Sequence, residues 1–119
     1  MPPVELQVQI FGTKKNSDTR KALRFFAERR VKVHFVDLAE RAAALGELRR
    51  FSQKFGVEKL VDRESKRFAE LGLRQAIYGE DKWLSILIDE PFILQQPLVR
   101  CANKVSIGVN ETEWKSWVG

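Results

Sequence analysis

The hydrophobic patterning of the chain predicts an α/β fold, and three observations carry it. Residues 6–11 and 31–36 alternate apolar and polar side chains, the period of a strand with one buried face. The stretch between them places apolar residues at helical spacing. After Pro97, two further short runs, 98–102 and 105–108, flank Asn103 and Lys104 as the arms of a hairpin. A strand, a helix and a strand in such close succession make a βαβ unit, so the first two strands should be parallel.

Each element has its own local justification. The first strand stops at Gly12, and 13–16 is a polar loop. Ser17 and Asp18 then offer an N-cap, with Asp18 placing negative charge in the first turn. Ala22, Leu23, Phe25, Phe26 and Ala27 form the apolar face of this helix, which ends in the cations Arg29 and Arg30. A second helix is expected over 41–55, where Ala44, Leu45, Leu48, Phe51 and Phe55 recur three and four apart, with Gly56 as its C-cap. Residues 63–71 read as a short helix with Phe68 and Leu71 inward, closed by Gly72. Residues 81–89 carry Trp83, Leu84, Leu87 and Ile88 on one face, and Pro91 stops that helix. Asn110 caps the last helix, Glu113 takes the capping-box position, and Trp114, Trp117 and Val118 dock it.

Composition bounds the function. A chain of 119 residues, 44% hydrophobic and 31% charged, reads as one globular domain over 1–119, with a helical insert at about 40–95. The single cysteine, Cys101, excludes a disulfide framework and a multi-cysteine zinc site. The single histidine, His34, argues against a His-rich metal centre, so no metal is expected. No stretch approaches the roughly 20 apolar residues of a bilayer span. Residues 1–5 lack a basic start and an apolar core, so a cytoplasmic location with no membrane partner is expected. The formal charge is +5, and eight basic residues lie between Lys14 and Lys32. The charge reads first as solubilising surface, and otherwise as attraction to nucleic acid or an acidic partner. Nucleic-acid binding is the weaker reading, because no zinc-finger spacing, aromatic run or Gly-x-x-Gly clamp accompanies it.

The order of elements is that of a thioredoxin-like fold with a helical insert between the N-terminal βαβ unit and the C-terminal β-hairpin plus helix. Three segments sharpen this. The first runs Phe11-Gly12-Thr13-Lys14-Lys15-Asn16-Ser17-Asp18-Thr19-Arg20-Lys21-Ala22. The second is 61–72, with Phe68 and Leu71-Gly72. The third runs from Asp81-Lys82-Trp83-Leu84 to Gln96-Pro97-Leu98-Val99. In this order they resemble the arsenate-reductase-like ArsC/Spx family.

The resemblance implies a cysteine nucleophile in the first loop, activated at a helix N-terminus, with arginines holding an oxyanion. Here that position is Ser17, and the second cysteine of Spx-type members is Arg20. The arginine before the late proline is Gln96, and the middle arginine falls on Glu64, beside Arg63. The resemblance also implies a cis peptide bond at Pro97. Lys14, Lys15, Ser17 and Arg20 are the candidates for a residual anion site, with Arg100 and Lys21 as further contributors. Cys101 is the candidate redox thiol, and His34 is the sole histidine that could activate Ser17.

The reading that follows is a non-catalytic binding or regulatory protein without a cofactor. Its partner would be a protein, with the transcription machinery as the example that Spx-type members offer. The alternative is a reductase of arsenate or another oxyanion using glutathione or glutaredoxin. That alternative requires Ser17 to stand for a cysteine of the natural gene, or Cys101 to have taken over. Oligomeric state is not legible in the sequence.

Overall fold

The computed structural model describes residues 6–118; residues 1–5, on which the reading of the N-terminus rests, and Gly119 lie outside them. The elements are β1 (Gln7–Gly12), α1 (Ser17–Glu28), β2 (Lys32–Asp37), α2 (Leu45–Phe55), α3 (Lys66–Glu70), α4 (Glu80–Asp89), β3 (Leu98–Cys101), β4 (Lys104–Ile107) and α5 (Glu111–Val118). Single 3-10 turns occupy Val57–Leu60 and Pro91–Ile93. The chain divides into two compact units: Met1–Asp37 with Gln96–Gly119, and Leu38–Gln95.

The first unit holds a four-stranded mixed sheet in the order β2-β1-β3-β4. β1 and β2 are parallel, with Gln9 opposite His34 and Gly12 opposite Asp37. β3 is antiparallel to β1 and to β4, with Ile10 opposite Val99 and Cys101 opposite Lys104. Strict alternation decides what each face does. Val8, Ile10, Val99 and Cys101 point to one face, where they form a buried core with Ala22, Phe25 and Phe26 of α1 and Trp114 and Trp117 of α5. The rings of Phe25 and Phe26 lie 5.3 and 5.4 Å from that of Trp114, in tilted contacts. The Trp114 indole N–H donates to Ser106 Oγ at 2.8 Å, so its one polar atom is satisfied inside the core.

The ends of α1 differ from the sequence expectation. Its N-cap is Asn16, not Ser17: the Asn16 side-chain oxygen accepts the Thr19 N–H at 2.8 Å. Ser17 is the first helical residue. The helix stops at Glu28, and Arg29 follows as C-cap. The Arg29 guanidinium donates to the Phe25 carbonyl at 3.1 Å and lies 3.7 Å over the Phe25 ring, so the expected cation serves the helix end from just outside it. At the hairpin the turn is Ala102-Asn103, with Ala102 at φ 56°, while Lys104 already belongs to β4.

The second unit is helical, and side-chain capping shortens two of its helices. α2 begins at Leu45 rather than 41, because Glu47 turns back to accept the Ala44 N–H at 2.8 Å and holds Arg41 at 3.1 Å. α3 covers 66–70 rather than 63–71. Asp62 accepts the Glu64 N–H at 3.1 Å, and Ser65 caps the helix by accepting the Phe68 N–H at 3.2 Å. Phe68 is buried as expected, but Leu71 is only half-buried at the helix end, before Gly72 at φ 68°. α2 and α4 pack together through a buried set that includes Leu48, Phe51, Trp83, Leu84 and Leu87. Arg67 grips the Glu90 carboxylate with two donors, at 2.9 and 2.8 Å. This grip holds the Glu90 carboxyl below its ordinary pKa. No helix among the described residues is long and apolar enough to cross a membrane.

The aromatic cluster yields a direct test. Trp114→Ala should destabilise the protein by about 3–5 kcal/mol in urea denaturation. Trp114→Phe should cost less, because it keeps most of the packing and gives up chiefly the bond to Ser106.

Candidate functional site

The site is built where three segments of the first unit converge: the end of β1 with its loop, the first turn of α1, and the residue before Pro97. Gly12 ends β1, and Thr19 of α1 packs directly on its Cα. A methyl group added at Gly12 would overlap Thr19 Oγ1 and lie 2.8 Å from Thr19 Cγ2. The close approach therefore needs glycine for space, not for backbone freedom.

Gln96 closes the arrangement. Its Oε1 accepts from the Thr13 N–H at 2.7 Å, the Thr13 hydroxyl at 3.1 Å and the Thr19 hydroxyl at 3.2 Å. Thr13 and Thr19 are buried, so a single amide oxygen satisfies three donors that water does not reach freely. The Gln96–Pro97 peptide bond is cis.

The loop outside this cluster is held by its own atoms. Asn16 N–H donates to the Thr13 carbonyl at 3.1 Å, and Arg20 Nη1 donates to the Lys14 and Lys15 carbonyls at 2.9 and 3.1 Å. Arg20 thus acts as a brace, facing the loop backbone. Lys14, Lys15 and Ser17 are exposed. Ser17, as first residue of α1, sits where backbone N–H groups have no intrahelical acceptor. Among the described residues, no histidine or carboxylate forms a hydrogen bond with its hydroxyl. Asp18 is instead beside Lys21, at 3.9 Å.

The remaining candidates are placed elsewhere. His34 pairs with Gln9, so it shares the sheet face opposite Val8 and Ile10, the residues that pack on α1. It is exposed, and three residues of strand separate its level from Gly12, roughly 10 Å. An imidazole there cannot activate Ser17. Arg100 pairs with the same Gln9 and donates its Nε–H to the Ala102 carbonyl at 2.8 Å, so it lies by His34 and not at the loop.

Cys101 is buried on the core face at the far end of β3. The antiparallel register carries it past Arg100, opposite Gln9, toward the beginning of β1. Burial pushes its thiol pKa up, and Lys104 opposes this to a smaller extent. That is the environment of an inert thiol, not of a thiolate nucleophile. In the other unit, Glu64 is exposed, and Arg63 lies 5.7 Å over the Phe68 ring and 5.8 Å over the Trp83 ring. No cluster of His, Cys, Asp and Glu able to hold a metal ion occurs among the described residues.

The structure therefore brings Lys14 and Lys15 of the loop together with Ser17 and Arg20 of the first turn of α1, and sets Gln96 against Thr13 and Thr19 on the inner side. Sequence reading missed Thr13 and Thr19. The available signal was a pair of threonines, one just after the strand-ending glycine and one inside the first helical turn, both flanking a loop of charged residues.

Comparisons with known proteins agree with this architecture. The ArsC family model matches residues 11–117. An uncharacterised protein of Bacillus subtilis, YusI, is 25% identical over 114 residues, covering 92% of this chain and 97% of its own length. An arsenate reductase of Neisseria meningitidis serogroup A is 26% identical over 105 residues, covering 86% of this chain and 90% of its own. The solved structure of an arsenate reductase from Vibrio cholerae superposes with a TM-score of 0.81 at 19% identity, over 94% of this chain and 98% of that one.

Two outcomes follow from the geometry. Gln96→Leu should lower stability by at least ~2 kcal/mol in chemical denaturation, because it orphans buried donors on Thr13 and Thr19. Cys101 in the native protein should react with a thiol reagent at pH 8 far more slowly than a free cysteine, and reach the free rate once denaturant unfolds the chain.

Proposed function

We propose that this chain, which belongs to the ArsC family, works as a non-catalytic binding protein. The observation that carries this reading is the set of bonds around Gln96. Where the family resemblance calls for an arginine that would hold an oxyanion, the chain presents an amide. Its oxygen occupies the donors of Thr13 and Thr19. That oxygen takes the place an oxyanion oxygen would need, and no guanidinium replaces the lost charge, since Arg20 is engaged with the loop carbonyls.

The position given to the nucleophile supports the same reading. A serine alcohol at a helix N-terminus gains little from the dipole, because an alkoxide is out of reach at neutral pH without a base. Ser17 has none hydrogen-bonded to it among the described residues. Cys101 is too far along β3 to substitute, and its thiol is shifted toward the neutral form. What remains is a folded scaffold whose loop and first helix are presented to solvent, suited to recognition by a protein partner.

The names of the relatives favour a second reading, since two of them are called arsenate reductases. The experiment that separates the two compares arsenate turnover, with glutathione and glutaredoxin present, for the protein and for Ser17→Cys. Silence in both, with folded protein confirmed by circular dichroism, is expected. Turnover by the protein itself would overturn the binding reading. Turnover by Ser17→Cys alone would mean that the loop still holds an oxyanion without its arginine, and the reductase reading would then apply to the scaffold.

A further inference from the structure

The two units differ sharply in charge. Between 38 and 95 the chain has ten basic and ten acidic residues, and several are paired with one another: Arg41 with Glu47, Arg49 with Asp81, and Arg67 with Glu70 and Glu90. The whole net charge of +5 therefore belongs to the other unit. Within that unit, the stretch from Lys14 to Lys32 holds eight basic residues against Asp18 and Glu28. All eight are exposed. Among the described residues, the one ion pair these cations form is the long, exposed contact of Lys21 with Asp18 at 3.9 Å.

The helix geometry makes this a surface and not a scatter. Ala22, Phe25 and Phe26 turn into the core, so Arg24 shares the outer face of α1 with Arg20 and Lys21, four and three residues before it. Lys14 and Lys15 add charge in the loop before α1 and Arg30 just after it, whereas Lys32 pairs with Gln7 and so shares with His34 the sheet face away from α1. Uncompensated like charges on one face raise the free energy of the isolated protein and lower it when an anionic surface neutralises them.

We infer that the outer face of α1, centred on Lys21 and Arg24, is a docking surface for an acidic polypeptide segment. This rests on the binding-protein reading and names the chemistry of its partner. Two features favour carboxylates of a protein over a nucleic-acid backbone. The one large hydrophobic residue exposed in this unit among the described residues is Val109, so it presents no aromatic platform for bases. Asp18 and Glu28 interrupt the strip near its two ends, which a continuous phosphate track would meet as repulsion and a spaced set of carboxylates would avoid.

The test is a fluorescence-anisotropy titration of a labelled oligoglutamate peptide at ~20 mM and ~150 mM salt. Three proteins are compared: the unaltered chain, Lys21→Glu/Arg24→Glu, and Arg50→Glu/Lys54→Glu, which makes the same charge change on exposed positions of α2. The unaltered chain should bind saturably and more weakly at the higher salt. The α1 variant should lose at least tenfold in affinity, and the α2 variant less than twofold. Lys21→Gln/Arg24→Gln, which removes charge without reversing it, should lose affinity to an intermediate degree, and thermal denaturation should show all variants folded. No saturable binding by the unaltered chain, or equal losses in the α1 and α2 variants, would overturn the inference. Tighter binding of single-stranded DNA of equal charge would overturn it in favour of a nucleic acid. These results are independent of the turnover assay: a silent Ser17→Cys with no peptide binding removes the surface alone, and turnover by the unaltered chain removes the non-catalytic reading alone.

Discussion

The packing of Thr19 against Gly12, closed by the Gln96 side-chain oxygen, is the constraint around which the sheet unit is organised. It ties the end of β1, the first turn of α1 and the start of β3 into one joint. Each partner is chosen by a different physical demand. Gly12 leaves room where any Cβ would collide with the threonine. Thr19 fills that room and directs its hydroxyl to the amide, while Thr13 contributes both a backbone and a side-chain donor. Because the donors are buried, the amide cannot be exchanged for an apolar group without leaving them unsatisfied.

That joint also bears on chemistry. The donors of Thr13 and Thr19 that could serve an incoming oxyanion are here turned onto the Gln96 side-chain oxygen. Outside them, Arg20 holds the Lys14 and Lys15 carbonyls and the Asn16 side chain holds the Thr19 N–H. Beside them, the side chains of Lys14, Lys15 and Ser17 face solvent. Charge is unevenly divided between the units: one has equal numbers of acidic and basic residues, and the other leaves a cationic helix face to solvent.

Strands were the most legible elements, because a two-residue period has one interpretation when a face is buried. All four lie within one residue of their expected limits. Helix limits were less legible wherever a polar side chain competes for the backbone. Glu47 delays α2, while Asp62 and Ser65 delay α3, because local side-chain bonds hold the preceding residues in turns. Asn16 in place of Ser17 as cap is the same effect: two adjacent residues can both cap a helix, and the winner depends on where the loop enters.

The sequence by itself determined the βαβ start, the hairpin-and-helix end, the apolar faces of the helices and the serine at the helix start, because each depends on residue identity and short-range periodicity. Only the tertiary structure decided what touches across long separations. It alone showed that Gln96, 77 residues from Thr19 and 83 from Thr13, turns its oxygen onto both. It alone sent Cys101 inward to the far end of β3 and His34 to the opposite face, since strand register, and not composition, sets which way a side chain points.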